Sequence, residues 1–209
     1  MIPGNPELYV IDESTRALYG KFLYPDNFTD STELVDYEYG GIASQDPSEG
    51  FLYQIWKGWV DGSFIYIQPY DESAPPLNII TESGVVEFSF SFDQNMRWVA
   101  ATRKNDNTVN LYWYDSSVEA YVITPYTGIV SIKLTHDDKR AVQVTGGSSD
   151  VIFTYIRNSS VRWRIQRDRY LTEYTHTGFS IPSNYRITNF GMNSKNRLQW
   201  RFGPRRIEW

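Results

Sequence analysis

The sequence predicts an all-β fold: a small β-propeller of four blades, each of about 43 residues, closed by pairing of its N- and C-terminal strands. Three observations lead there. Short runs rich in Val, Ile, Tyr, Phe and Trp recur along the chain without a helical apolar period. Clusters of Asn, Asp, Gly and Ser separate the runs; Gly accepts positive φ, and Asx and Ser side chains bond their own backbone. Finally, the chain repeats itself. Displaced by 43 residues, Val99-Ala100-Ala101-Thr102 falls on Val142-Gln143-Val144-Thr145, and Asp115-Ser116-Ser117-Val118 falls on Asn158-Ser159-Ser160-Val161.

The elements follow in chain order. Residues 8–11, followed by Asp12-Glu13-Ser14, resemble Leu111-Tyr112-Trp113-Tyr114 followed by Asp115-Ser116-Ser117. They therefore read as the third strand of a blade, with 17–23 as its fourth. The first full blade, 32–81, holds runs at 51–56, 63–68 and 77–81, whereas Tyr37 to Ser48 makes a poor strand. The second, 85–127, holds 85–92, 97–102, 109–114 and 120–124, divided by Asp93-Gln94-Asn95, Asn105-Asp106-Asn107 and Asp115-Ser116-Ser117. A displacement of 44 carries Gly84-Val85-Val86 onto Gly128-Ile129-Val130 and opens the third blade, 129–177. Its runs are 129–134, 141–145, 151–156 and 161–166, which makes 161–166 the fourth, outermost strand. Residues 187–202 read as a strand pair around a polar turn. A composite blade of 186–203 with 7–24 would close the ring and remove its open edge.

Composition bounds the chemistry. The chain of 209 residues has no cysteine and two histidines, His136 and His176. Disulfide scaffolds, thiolate metal sites and cysteine nucleophiles are excluded. With 41% hydrophobic and 16% aromatic residues the chain can bury a core, so disorder is not expected. No run approaches the roughly 18 apolar residues of a membrane helix, and Met1 to Leu8 lacks the features of a signal peptide. Neither a membrane nor a secretory route is expected. Charge is unevenly placed: residues 1–100 carry four basic and sixteen acidic side chains, residues 151–209 eleven basic and three acidic. Such a split suits solvated faces, a nucleic-acid face, or two ends of one body that attract across a subunit boundary. The net charge of −5 argues against nucleic acid as the partner.

No residue set reads as catalytic, and no metal or cofactor is expected. Asp93, Asp137 and Asp138 could supply the paired carboxylates of a propeller hydrolase, but all three stand in turns where Asp serves the backbone. His136 and His176 lie in loops, and no Gly-x-Ser-x-Gly elbow accompanies them. Gly146-Gly147-Ser148-Ser149 joins two strands and is not a phosphate loop. The strict alternation of Val161-Arg162-Trp163-Arg164-Ile165-Gln166 puts the arginines on one face and the apolar residues on the other. Outward arginines on an outer strand protect an edge, dock an acidic partner, or bind a phosphate backbone.

The run Gln166-Arg167-Asp168-Arg169-Tyr170-Leu171-Thr172-Glu173-Tyr174, followed by Gly191-Met192-Asn193-Ser194-Lys195-Asn196-Arg197-Leu198-Gln199-Trp200-Arg201-Phe202-Gly203, resembles small virion structural proteins of short-tailed bacteriophages. Nozzle and hub rings in those tails carry propeller modules. The resemblance implies a virion component without enzymatic activity, assembled in the host cytoplasm. Its partners would be other tail proteins and copies of itself in a ring or symmetric assembly. Partner-binding candidates are Arg162, Trp163, Arg164, Arg167, Arg169, Arg205, Arg206 and Trp209. The alternative is a lectin-like propeller that binds carbohydrate on Trp56, Trp59 and Tyr70; a hydrolase using Asp137 or Asp138 is the third reading.

Overall fold

The structure, a computed structural model, describes residues 35–41, 53–69, 73–93, 97–136, 150–192 and 198–204. It is all-β and antiparallel, with one short 3-10 turn among the described residues, at Gln166–Asp168. The first sheet is β1 (Val35–Gly41), β2 (Tyr53–Asp61), β3 (Phe64–Pro69) and β4 (Leu77–Thr81). The second is β5 (Val85–Phe92), β6 (Trp98–Lys104), β7 (Val109–Asp115) and β8 (Ala120–Tyr126). In the third come β9 (Ser131–His136), β10 (Val151–Arg157), β11 (Ser160–Ile165) and β12 (Tyr174–Thr175). A hairpin of β13 (Tyr185–Met192) and β14 (Leu198–Pro204) forms the fourth. Within every sheet the spatial order follows the chain order.

Three expectations need correction. β1 lies where a poor strand was expected. Its alternation of Val35, Tyr37 and Tyr39 with Asp36 and Glu38 is a strand signal obscured by two acids and a Gly-Gly end. Residues 161–166 are not an outermost strand: β11 is third in its sheet, and β12 pairs beyond it through Arg162↔Thr175 and Trp163↔Tyr174. The displacement of 43 also joins unlike positions. It lays β7, a third strand, on β10, a second strand. β10 pairs directly with β9, so the expected strand at 141–145, which lies outside the described residues, does not separate them. The strand expected at 8–11, the strand expected at 17–23 and their pairing with residues 187–202 also fall outside the described residues.

The sheets pack face to face in sequence. Ile65, Ile67 and Ile80 meet Phe88, Phe90, Phe92 and Ala100 between the first and second sheets. Val99, Ala101, Leu111 and Trp113 meet Leu134, Phe153 and Tyr155 between the second and third. Ile152, Ile156 and Val161 meet Ile187 and Phe190 between the third and fourth. Consecutive residues of one strand thus enter different cores: Ala100 faces the first sheet, Val99 and Ala101 the third. This follows from the strand period of two when both faces are covered. Gly58 of β2 makes the first contact possible, because a Cβ there would lie 2.7 Å from Phe90 Cε1.

The first strands of successive sheets lie side by side, β1 against β5, β5 against β9 and β9 against β13. β9 is an edge strand, and its backbone is capped by side chains of β5. Glu87 accepts the Ile132 N–H at 3.0 Å and the Ser131 hydroxyl at 2.9 Å, while Ser89 Oγ accepts the Leu134 N–H at 3.0 Å. Ser131 in turn accepts the Ile187 N–H of β13 at 3.0 Å. Polar residues at 87, 89 and 131 therefore satisfy edge groups that burial would otherwise leave unpaired.

Similar turn sequences fold differently. Asp115 closes the β7–β8 turn by accepting the Ser117 N–H at 2.9 Å and its hydroxyl at 2.7 Å. Asn158 and Ser159 instead form a two-residue loop with φ of 52° and 58°. Positive φ at both positions is what a type I′ hairpin turn requires, so Asn158 serves by conformation and not by a side-chain bond. Ser159→Gly should therefore stabilise the chain by about 1 kcal/mol, since a left-handed non-glycine residue costs roughly that much. Thermal unfolding checks this, and a lowered melting temperature would contradict it.

Candidate functional site

The arginines of β11 face the second sheet. In the β10–β11 register Arg164 stands opposite Phe153 and Arg162 opposite Tyr155, both core residues on that side. Beside them lies Glu173, on the connection between the 3-10 turn and β12. Arg157 Nη2 donates to both Glu173 oxygens at 2.7 and 2.6 Å, Arg164 Nη2 donates at 3.2 Å, and Arg162 Nη1 and the Tyr155 hydroxyl donate to it as well. Arg164 also reaches Tyr155 Oη at 3.1 Å and the carbonyls of Tyr170 and Leu171 at 2.8 and 2.6 Å. Its guanidinium lies 5.1 Å from the Tyr126 ring centroid of β8, so the cluster occupies the groove between the second and third sheets.

Burial pushes the Glu173 carboxyl up, but the bonds from Tyr155 and Arg162 and the Arg157 and Arg162 charges outweigh it, and the group stays below the ordinary glutamate value. Tyr155 is pushed up to about 12, first by burial and then by its bond to Glu173. The carboxylate is therefore ionised and the phenol protonated at neutral pH. Three guanidinium charges surround a single negative charge. Among the described residues Arg103 also pairs with Glu87, Arg167 with Asp150 at 2.6 Å, and Arg169 with Asp115.

The expected partner-binding residues thus divide. Arg162 and Arg164 come together, joined by Arg157, Tyr155 and Glu173, which sequence reasoning did not single out. Trp163 lies on the opposite face, stacked on Tyr174 at 5.7 Å and against Trp200 of β14 at 5.6 Å. Arg167 and Arg169 tie the 3-10 turn to carboxylates before β10 and at the end of β7. Arg205, Arg206 and Trp209 lie outside the described residues. The signal for Arg157 was available in principle, because β10 and β11 flank a two-residue hairpin. Glu173 gave no local signal.

Of the carbohydrate candidates, Trp56 packs on Phe92 at 5.0 Å, Trp59 stacks on Tyr66 at 5.6 Å, and Tyr70 lies outside the described residues. Among the acids, Asp93 accepts the Arg97 N–H at 3.0 Å and its Nε at 2.8 Å, which is the turn role expected of it. Asp137 and Asp138 lie outside the described residues. His176 Nδ1 accepts the Gly178 N–H at 3.0 Å. Among the described residues no group of three or more His, Asp or Glu is placed to hold a metal ion, and no helix is long and apolar enough to cross a membrane. Comparison with protein-family models, curated proteins and solved structures returns no match.

Proposed function

We propose that the chain is a non-enzymatic structural protein of a short-tailed bacteriophage virion, a tail component that acts as a platform for other tail proteins and for copies of itself. The observation that supports this reading most is the row of sheets whose first strands, β1, β5, β9 and β13, lie side by side. Inner strands of propeller blades are arranged that way. The fourth sheet has two strands among the described residues, and residues 7–24 would complete it as the composite fourth blade. A closed ring of this kind leaves its outer strands and grooves to neighbouring proteins.

Two experiments test the reading. Cryo-microscopy and mass spectrometry of the purified virions should find the chain at fixed copy number; its absence from the particles ends the virion reading. Deleting residues 1–24 should abolish cooperative unfolding, because the fourth sheet would lose half its strands. A deletion variant that unfolds as sharply as the full chain would exclude closure by the N-terminal segment.

A further inference from the structure

We propose that Arg157, Arg162 and Arg164 form a docking site for carboxylates, that its occupant is the acidic segment 22–56 of a second copy of this chain, and that Glu173 fills the site in the isolated chain. The inference rests on the self-assembly half of the function proposed above and deepens it by naming the site and the segment.

A carboxylate offers about four lone-pair sites. Tyr155, Arg157, Arg162 and Arg164 already converge on the one carboxylate of Glu173. Arg157 Nη1 and Arg162 Nη2 take part in none of these bonds, and two positive charges are left over. The three arginine side chains keep 27%, 21% and 14% of their surface in solvent, so an outside anion can reach them. An apolar anchor borders the cluster: Leu171, whose carbonyl accepts from Arg164, is 76% exposed. A charged centre beside an exposed apolar side chain suits a protein segment that carries acids and apolar residues together.

The chain contains such a segment. Between Lys21 and Lys57 stand seven acidic residues and no Lys or Arg, interleaved with Phe, Tyr and Leu. Part of it is β1, where Asp36 and Glu38 alternate with tyrosines; Asp46 and Glu49 fall in the connection from β1 to β2. β1 belongs to the first sheet and the arginines to the third. β1 and the arginine cluster therefore lie in different sheets of one copy, and head-to-tail contact between copies would bring the acidic segment of one to the arginines of the next.

Glu173→Gln is the decisive variant. It keeps the shape of the side chain and removes the internal competitor. Light scattering and sedimentation of the full chain at low salt should show association tightened on the order of tenfold in this variant, with the gain lost at high salt. Asp46→Lys with Glu49→Lys should abolish association in both the wild-type and the Glu173→Gln background. Arg157→Gln, at the most exposed of the three arginines, should weaken it while far-UV circular dichroism stays unchanged. If Glu173→Gln lowers the melting temperature and leaves association unchanged or weaker, Glu173 is only a clamp and the proposal fails. A wild-type chain that stays monomeric at low salt also overturns it. So does a Glu173→Gln chain that gains affinity for a single-stranded oligonucleotide but not for itself. Failure here, with the chain still present in virions, leaves the virion function standing; success with the chain absent from virions reverses that outcome.

Discussion

Replacing Glu82 by alanine should destabilise the fold by about 1.5–3 kcal/mol, the scale of hydrogen bonds lost to a buried charged group. Glu82 follows β4 and is 8% exposed. Its carboxylate accepts from Asn110 Nδ2 at 2.6 Å, from the Tyr112 hydroxyl at 3.1 Å and from Thr102 Oγ1, and lies 3.0 Å from Lys104 Nζ. All four partners belong to the second sheet, so one side chain just past the end of the first sheet holds four groups of the next. Alanine would leave those donors facing each other. Urea unfolding at neutral pH measures the loss, and a change below about 1 kcal/mol would mean that water replaces the carboxylate without cost.

The same residue gives the fold an acid limit. Burial raises the Glu82 carboxyl, but its bonds from Thr102, Lys104 and Tyr112 lower it further, and the net shift is downward. A carboxylate with a depressed folded value adds stability above its unfolded value, and that contribution is lost as pH falls through the folded value. Glu173 shifts in the same direction. Stability should therefore decline as pH drops below the ordinary glutamate range. Glu82→Gln should show a shallower decline there, which unfolding curves at a series of acid pH values will test.

Phe90→Ala should cost about 3–5 kcal/mol, the range for truncating a buried aromatic ring. Phe90 is fully buried, with ring centroids 5.6 Å from Phe88 and 6.0 Å from Phe92. Its ring lies over Gly58, the position on β2 where a Cβ would meet it at 2.7 Å. The two sites should therefore couple. Gly58→Ala alone overpacks the contact and should destabilise by about 1–3 kcal/mol. In the Phe90→Ala background much of that cost should vanish, with Phe88, at 2.8 Å from the same point, keeping the remainder. Strict additivity of the two substitutions would show that the first and second sheets do not meet at this glycine.

The all-β, antiparallel character of the chain was legible in its sequence, because strand period and turn chemistry are local properties. The second sheet shows this best. Its four expected runs match β5 to β8, and Asp115 closes its turn as the residue type implies. Gly84 and Gly128, aligned by the displacement of 44, both take positive φ, of 74° and 71°. Local pattern could not decide the order of strands in the third sheet. β7 and β10 fall on each other under the displacement of 43, Tyr112 on Tyr155, yet β7 buries every second residue and β10 buries both faces. That difference comes from the neighbours on either side and not from the strand itself. Nor could spacing reveal that Arg157, Arg162 and Arg164 share one carboxylate. Alternation assigns them a face. Only the packing of β8 against the third sheet, and the course of residues 169–174, brings Glu173 onto that face. An ion cluster is a property of distances below about 4 Å, and the chain sets those through tertiary contacts far apart in sequence.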